Sequence, residues 1–106
     1  LASQIQSLNS REDRDLLQKF LQDSCAEIRS EAVILLGNLE ESEWTLPLLS
    51  SALSDQDSLV RKNTALSLMK IGCSSSIPNL QTQLNSESDT SVCKILQLAI
   101  DRLQQS

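Results

Sequence analysis

Aliphatic residues recur along this chain at spacings of three and four, and the whole pattern then returns after 32 residues. Ile28, Ala32, Leu36 and Leu39 are answered by Val60, Thr64, Leu68 and Ile71, and again by Val92, Leu96, Ile100 and Leu103. At about 100° per residue these positions fall within roughly 80° of arc, one stripe of an α-helix. Leu35, Ser67 and Ala99 share that stripe. The pattern predicts three copies of one helix, over residues 26–39, 58–71 and 90–104.

A second, less regular pattern precedes each copy. Leu46-Pro47-x-Leu49-x-x-x-Leu53 matches Ile77-Pro78-x-Leu80-x-x-x-Leu84, 31 residues on, while Leu17 and Leu21 match Leu49 and Leu53 at 32. Ser24-Cys25-Ala26-Glu27 has capping-box form, and Asp57-Ser58 and Ser88-Asp89 offer acceptors to the free amides of a helix start. Thr45 and Ser76 are expected N-caps, which puts Pro47 and Pro78 in a first turn, where no amide partner is lost. Ser10-Arg11-Glu12-Asp13 resembles another capped start, for a helix over about residues 11–22. Gly72 falls just past a helix end, where left-handed backbone costs glycine little. Leu1, Ile5 and Leu8 read as the tail of a helix from a preceding unit.

The chain therefore reads as a repeat protein: a tail at 1–9 and three helical hairpins at 10–40, 41–73 and 74–106. The half-hairpin at the start predicts an excerpt of a longer protein. A single hairpin has too little core, so stacking on neighbours must supply the burial, and about three units are the minimum. Phe20 and Ala52 give way to Gln83, and Leu16 and Leu48 to Asn79, so the third unit is expected to pack against less.

Composition agrees. Hydrophobic residues make up 40%, with only two Gly and two Pro, too few for the turns of an all-β sandwich. The net charge is −5 and the densest basic run is Arg61-Lys62, which argues against nucleic acid as a partner. No apolar run is long enough to span a bilayer and no signal-peptide pattern is present, so no membrane partner is expected. Cys25, Cys73 and Cys93 are odd in number and far apart, and there is no His. That excludes a disulfide framework or zinc site and predicts free thiols in a reducing, cytoplasmic setting.

Asp55-Gln56-Asp57 opens like a calcium loop but lacks the mid-loop Gly and the closing acid, so capping explains it better. Cys93 has no His to activate it, although Lys94 adjoins it. The acidic run Glu40-Glu41-Ser42-Glu43 suits the dipole of the helix that follows. Trp44 is expected to staple onto Leu49 or to meet a partner. Nothing here supports catalysis, so the chain is not expected to be an enzyme, and no metal or cofactor is expected.

Asp55-x-Asp57-x-x-Val60-Arg61-x-x-x-Ala65-x-x-Leu68-x-x-Ile71-Gly72 resembles the HEAT-like repeat of phycocyanobilin lyases. The resemblance covers nearly the whole chain from about residue 11 and is strongest in the middle unit. It implies an all-α, right-handed solenoid of stacked antiparallel hairpins, with the second helices lining a concave surface. It also implies a ladder of ion pairs between loop acids and arginines of adjacent units, here Asp23, Arg29, Asp55 and Arg61, with the third rung broken because Cys93 replaces the arginine. Glu40 and Gln104 stand where Gly72 stands, a further departure.

The function implied is a protein-interaction scaffold. The alternatives are a bilin lyase subunit or phycobilisome-processing factor, with a bilin or phycobiliprotein as partner, and a structural spacer in a multidomain regulatory protein. The expected contact surface is the column opposite the core stripe: Ile34, Leu66 and Leu98, spaced 32 apart, flanked by Lys62 and Lys94 and joined by Met69. An aliphatic column facing water gains nothing from burial unless a partner covers it. The competing reading is that these side chains fill gaps between units. A partner helix or extended segment with an acidic residue near Lys62 or Lys94 fits the column.

Overall fold

The computed structural model describes residues 11–39 and 43–105. The expected tail at 1–9 and the acids at 40–41 lie outside them. Among the described residues six α-helices follow one another: α1 Arg11–Leu21, α2 Ala26–Gly37, α3 Thr45–Ala52, α4 Ser58–Ile71, α5 Ile77–Ser86 and α6 Thr90–Gln105. A short 3-10 turn, Ser74–Ser76, leads into α5. There is no strand among the described residues.

The chain is an all-α solenoid. Within each hairpin α1 packs on α2, α3 on α4 and α5 on α6, while α2 packs on α4 and α4 on α6. The second helices thus form one continuous layer. Their predicted stripe faces inward: Ala32, Leu36, Val60, Leu68, Val92, Leu96, Ile100 and Leu103 are all buried. Leu17, Leu49 and Leu80 from the first helices close the core from the other side. The buried arc is wider than the stripe predicts, because Val33 and Ala65 are also at 0% exposure. Each second helix packs on its own first helix and on a neighbouring second helix, α4 on one at either side, so a second flank must be apolar or small. Thr64, buried in an otherwise apolar column, sends its hydroxyl back to the Val60 carbonyl at 2.6 Å and leaves no stranded donor.

Helix ends follow the sequence signals unevenly. Asp57 caps α4 through the Leu59 amide at 2.8 Å, and Asp89 accepts from the amides of Ser91 and Val92 at the start of α6. Gly72 ends α4 with φ +78°. Ser24 does not cap α2. Cys25 occupies the cap position with no side-chain bond, and its own amide is turned back onto Asp23 Oδ1. Thr45 is not a cap either: it is the first residue of α3 and fully buried, with Trp44 at the cap position. Trp44 is half-buried against the core and lies under the Arg14 guanidinium, 4.9 Å from the ring centroid. The ring ties α1 to the start of α3.

The first two units approach closely at Gly37. A Cβ there would lie 2.6 Å from Ser67 Cβ and 2.9 Å from Ser67 Cα, so α2 and α4 touch backbone to side chain. Ser67 uses its hydroxyl in the same contact, donating to the Val33 carbonyl at 2.7 Å. Gly72, by contrast, has open space where a Cβ would go, and only its left-handed backbone resists substitution. Gly37→Ala should therefore cost about 2 kcal/mol through overpacking, and Gly72→Ala about 1 kcal/mol through backbone strain alone. Urea melts of the two variants check the order; a milder effect at Gly37 would contradict the close contact.

Candidate functional site

The loop at the end of each first helix carries an acid, and the first turn of each second helix carries an arginine in the first two units. Arg29 donates through Nε and Nη2 to both carboxylate oxygens of Asp55, at 2.9 and 3.0 Å. Arg61 does the same to Glu87, at 2.8 and 2.9 Å. The third donor of each fork, Nη1, holds a backbone carbonyl within its own unit: Asp23 for Arg29 and Asp55 for Arg61, both at 2.8 Å. Each arginine thus clamps its own loop and reaches the loop of the next unit. The acid is in turn braced by the amide two residues on, Asp57 for Asp55 and Asp89 for Glu87.

This geometry corrects the expected ladder in two respects. The arginine reaches forward, so Glu87 is an acid of the ladder and the rung between the second and third units is closed. Asp23 enters through its backbone carbonyl, while its carboxylate accepts the Cys25 amide. Cys93, in the arginine column, keeps only a trace of the clamp, with Sγ 3.5 Å from the Glu87 carbonyl. The rungs are also drier than surface pairs, with Glu87 at 1% and Arg29 at 9% side-chain exposure. Removing one partner strands a buried charge, which costs more than an exposed pair contributes.

Arg61 holds the Glu87 carboxyl below its ordinary value against the opposing effect of burial, helped by Gln83 and the Asp89 amide. At Asp55 burial pushes upward most strongly, yet the bonds from Arg29 and the Asp57 amide together prevail and the net direction is down.

The opposite side of the second helices is the candidate contact surface. Ile34 is 39% exposed and Leu98 40%. Leu66 between them is half-buried and lines a groove of about 270 Å³ between α2 and α4, with Ile34, Asn38, Asn63, Ser67 and Lys70. The column is thus exposed at its ends and partly turned into the inter-unit groove at its centre. Met69, expected beside these residues, packs against the core instead, because it lies toward the α4 flank where Ala65 is buried. Lys62 is half-buried and Lys94 exposed.

Two features escaped the sequence reading. Leu59, 40% exposed, stands seven residues before Leu66 on the same face, but its counterparts Glu27 and Ser91 gave no apolar column to notice. Asn38, Lys70 and Arg102 form a second polar row, also 32 apart, which was legible in the sequence. Polar contacts join α2 to α4 along this face. Asn63 Nδ2 donates to Ser30 Oγ at 2.6 Å, and Lys70 Nζ to Asn38 Oδ1. No described helix is long and apolar enough to cross a membrane.

Two comparisons with known proteins bear on this arrangement. The family described as HEAT repeats matches residues 5–100. The bilin biosynthesis protein MpeU of Synechococcus sp. (strain WH8020) is 35% identical over 103 residues, 97% of this chain and 35% of the relative. The chain thus spans about a third of that relative's length. This match overturns the expectation that the chain is no enzyme. The lack of a nucleophile and activating base spoke only against a self-contained active site, and a repeat segment alike over nearly its whole length occurs in a biosynthetic protein.

The ladder makes a pH prediction. Carboxyls held below their ordinary values contribute stability that is present in full above the unfolded-state pKa of about 4. It is lost as the pH falls through their folded-state values. Stability by urea melts should therefore be level from neutral pH to about 5 and decline below about 4. Glu87→Gln should be less stable at neutral pH and show a shallower acid decline; an unchanged acid limb would mean that Glu87 does not carry the dependence.

Proposed function

We propose that this chain, which belongs to the HEAT-repeat family in its short, phycocyanobilin-lyase-like form, is the repeat module of a bilin-lyase-type enzyme or processing factor. Its part is to hold a polypeptide partner on the open face of α2, α4 and α6. The observation that carries the reading is that face itself, where Ile34 and Leu98 stand at 39% and 40% exposure at the two ends of one aliphatic column. Side chains of that kind on a rigid layer supply the apolar anchors of a binding surface. The 35% identity to a bilin biosynthesis protein supports placing the module in bilin chemistry. The partner class that follows is a phycobiliprotein subunit awaiting its bilin.

Rigidity belongs to the same reading. Bidentate arginines and the Gly37–Ser67 contact fix the offset between units, so the column is presented in one arrangement and little ordering entropy is spent on binding.

Immobilised chain should retain a purified phycobiliprotein subunit expressed without bilin. Leu98→Asp should abolish retention while shifting the melting temperature by only a few degrees, as for other exposed sites. Retention that is indifferent to Leu98→Asp would place the contact elsewhere, and no retention at all would sink the proposal. A second reading rests on the relative's name: the module touches the bilin as well. Titrating a free bilin into the chain should then red-shift its visible band, and an unchanged spectrum rejects that reading alone.

A further inference from the structure

The three columns of the open face form a grid. On α2 stand Ser30, which is buried, and Ile34, with Asn38 at the C-cap; along α4 run Lys62, Leu66 and Lys70; along α6 run Lys94, Leu98 and Arg102. Successive members are four residues apart, so they stand in line on one face of each helix, about 6 Å apart along its axis. Because α2 packs on α4 and α4 on α6, the grid also has rows crossing the layer: a central aliphatic row with a polar row on either side. Over α4 and α6 both outer rows are basic.

Four of the nine basic residues of a chain with net charge −5 are gathered there. Of the others, Arg29 and Arg61 are taken up by the ladder and Arg14 lies over Trp44. The acids within these three helices are Glu27 and Glu31 on α2, which carries none of the four cations, and Asp101 on α6, which accepts from Gln97 Nε2 at 2.9 Å; Asp57 and Asp89 cap the starts of α4 and α6. Lys94 and Arg102 are exposed, as is Lys70 apart from its bond to Asn38.

We infer that the face takes an acidic amphipathic helix lying across the three second helices. This rests on the reading that the open face holds a polypeptide, and it names the chemistry of that polypeptide. The spacing selects a helix over an extended strand. Packed helices lie about 8–10 Å apart, and seven residues of α-helix advance about 10.5 Å with the side chains returning to the same face. One aliphatic residue per heptad therefore meets Ile34, Leu66 and Leu98 in turn. A strand covers that distance in about three residues, which points alternate anchors away from the surface. Acids flanking the aliphatic positions on both sides meet Lys62 and Lys94 on one edge and Lys70 and Arg102 on the other. Leu59, at the start of α4, extends the apolar ground beyond Lys62.

The probe is a labelled synthetic peptide of three heptads with Leu at each seventh position, Glu on both flanks and Ala elsewhere. Its like charges keep it monomeric. Fluorescence anisotropy should show it binding the whole chain, with affinity falling as salt rises. Leu98→Asp and the double variant Lys62→Glu/Lys94→Glu should each weaken binding by about tenfold or more. Lys94→Glu alone, at an exposed position, should weaken it measurably with the fold intact by circular dichroism. The matching peptide with Lys in place of Glu should not bind.

Equal binding of the Lys peptide, or indifference to both Leu98→Asp and the charge reversals, would overturn the inference. If the chain retains a phycobiliprotein subunit through Leu98 but ignores the Glu peptide, the acidic helix is wrong and the broader reading stands. Binding of the Glu peptide without retention of the subunit would do the reverse. A chain dimer in sedimentation that Leu98→Asp dissolves would assign the face to a second copy and overturn the inference.

Discussion

A hairpin of this length cannot cover its own apolar stripe, so the whole structure depends on neighbouring units being held at one fixed offset. Arg29 and Arg61 hold it. Each guanidinium takes a backbone carbonyl from its own loop and both carboxylate oxygens of the next loop, a planar fork matched to a planar acceptor. Asp55 is shared, with its carboxylate bound by Arg29 and its carbonyl by Arg61. The two clamps are therefore one continuous chain of bonds through three units. Such bonds add little net energy compared with the buried leucines, but they make the register specific, and the leucines alone would tolerate a slip.

The two junctions between second helices are built differently. Between α2 and α4 the contact is polar and tight, with Gly37 against Ser67, Ser67 on the Val33 carbonyl and Asn63 on Ser30. Between α4 and α6, Ile95 and Ala99 occupy the columns of Asn63 and Ser67, and the contact is apolar. The groove that receives Leu66 belongs to the first junction. On the side of the first helices a wider opening of about 460 Å³ separates the first and second units, bounded by Leu48, Ala52 and the Arg29–Asp55 pair. At the next junction Gln83, in the column of Ala52, donates to Glu87 Oε1 at 3.0 Å. What the sequence shows as a drift of the third unit toward polarity has, at that position, the role of bracing the ladder acid.

The open face follows from the same stacking. Every second helix turns one flank to its own hairpin and another to its neighbours, leaving one side free in all three copies. Because the copies keep a 32-residue period, the free sides align into rows, and a preference at one repeat position becomes a surface. A segment alike over nearly the whole of this chain occurs in a bilin biosynthesis protein.

Much of this was legible in the residues alone. The period, the helix faces, the αL glycine at Gly72 and the Asp57 and Asp89 caps are local properties, set by spacing and by side chains acting on their own backbone. The aliphatic column opposite the core was legible for the same reason. Three things were not. Ser24 and Thr45 carry good cap chemistry, yet Asp23 claims the Cys25 amide and burial takes Thr45 into the core. The direction of the ladder depends on which way a guanidinium reaches between units, so Glu87 could be seen as a repeated acid and not as a partner of Arg61. Leu66 half-turned into a groove and Met69 drawn to the core were decided by the packing of α2, α4 and α6. A helical wheel fixes the direction in which a side chain leaves its own helix; how much of it stays in water is set by the neighbouring helix, whose distance and tilt are tertiary quantities.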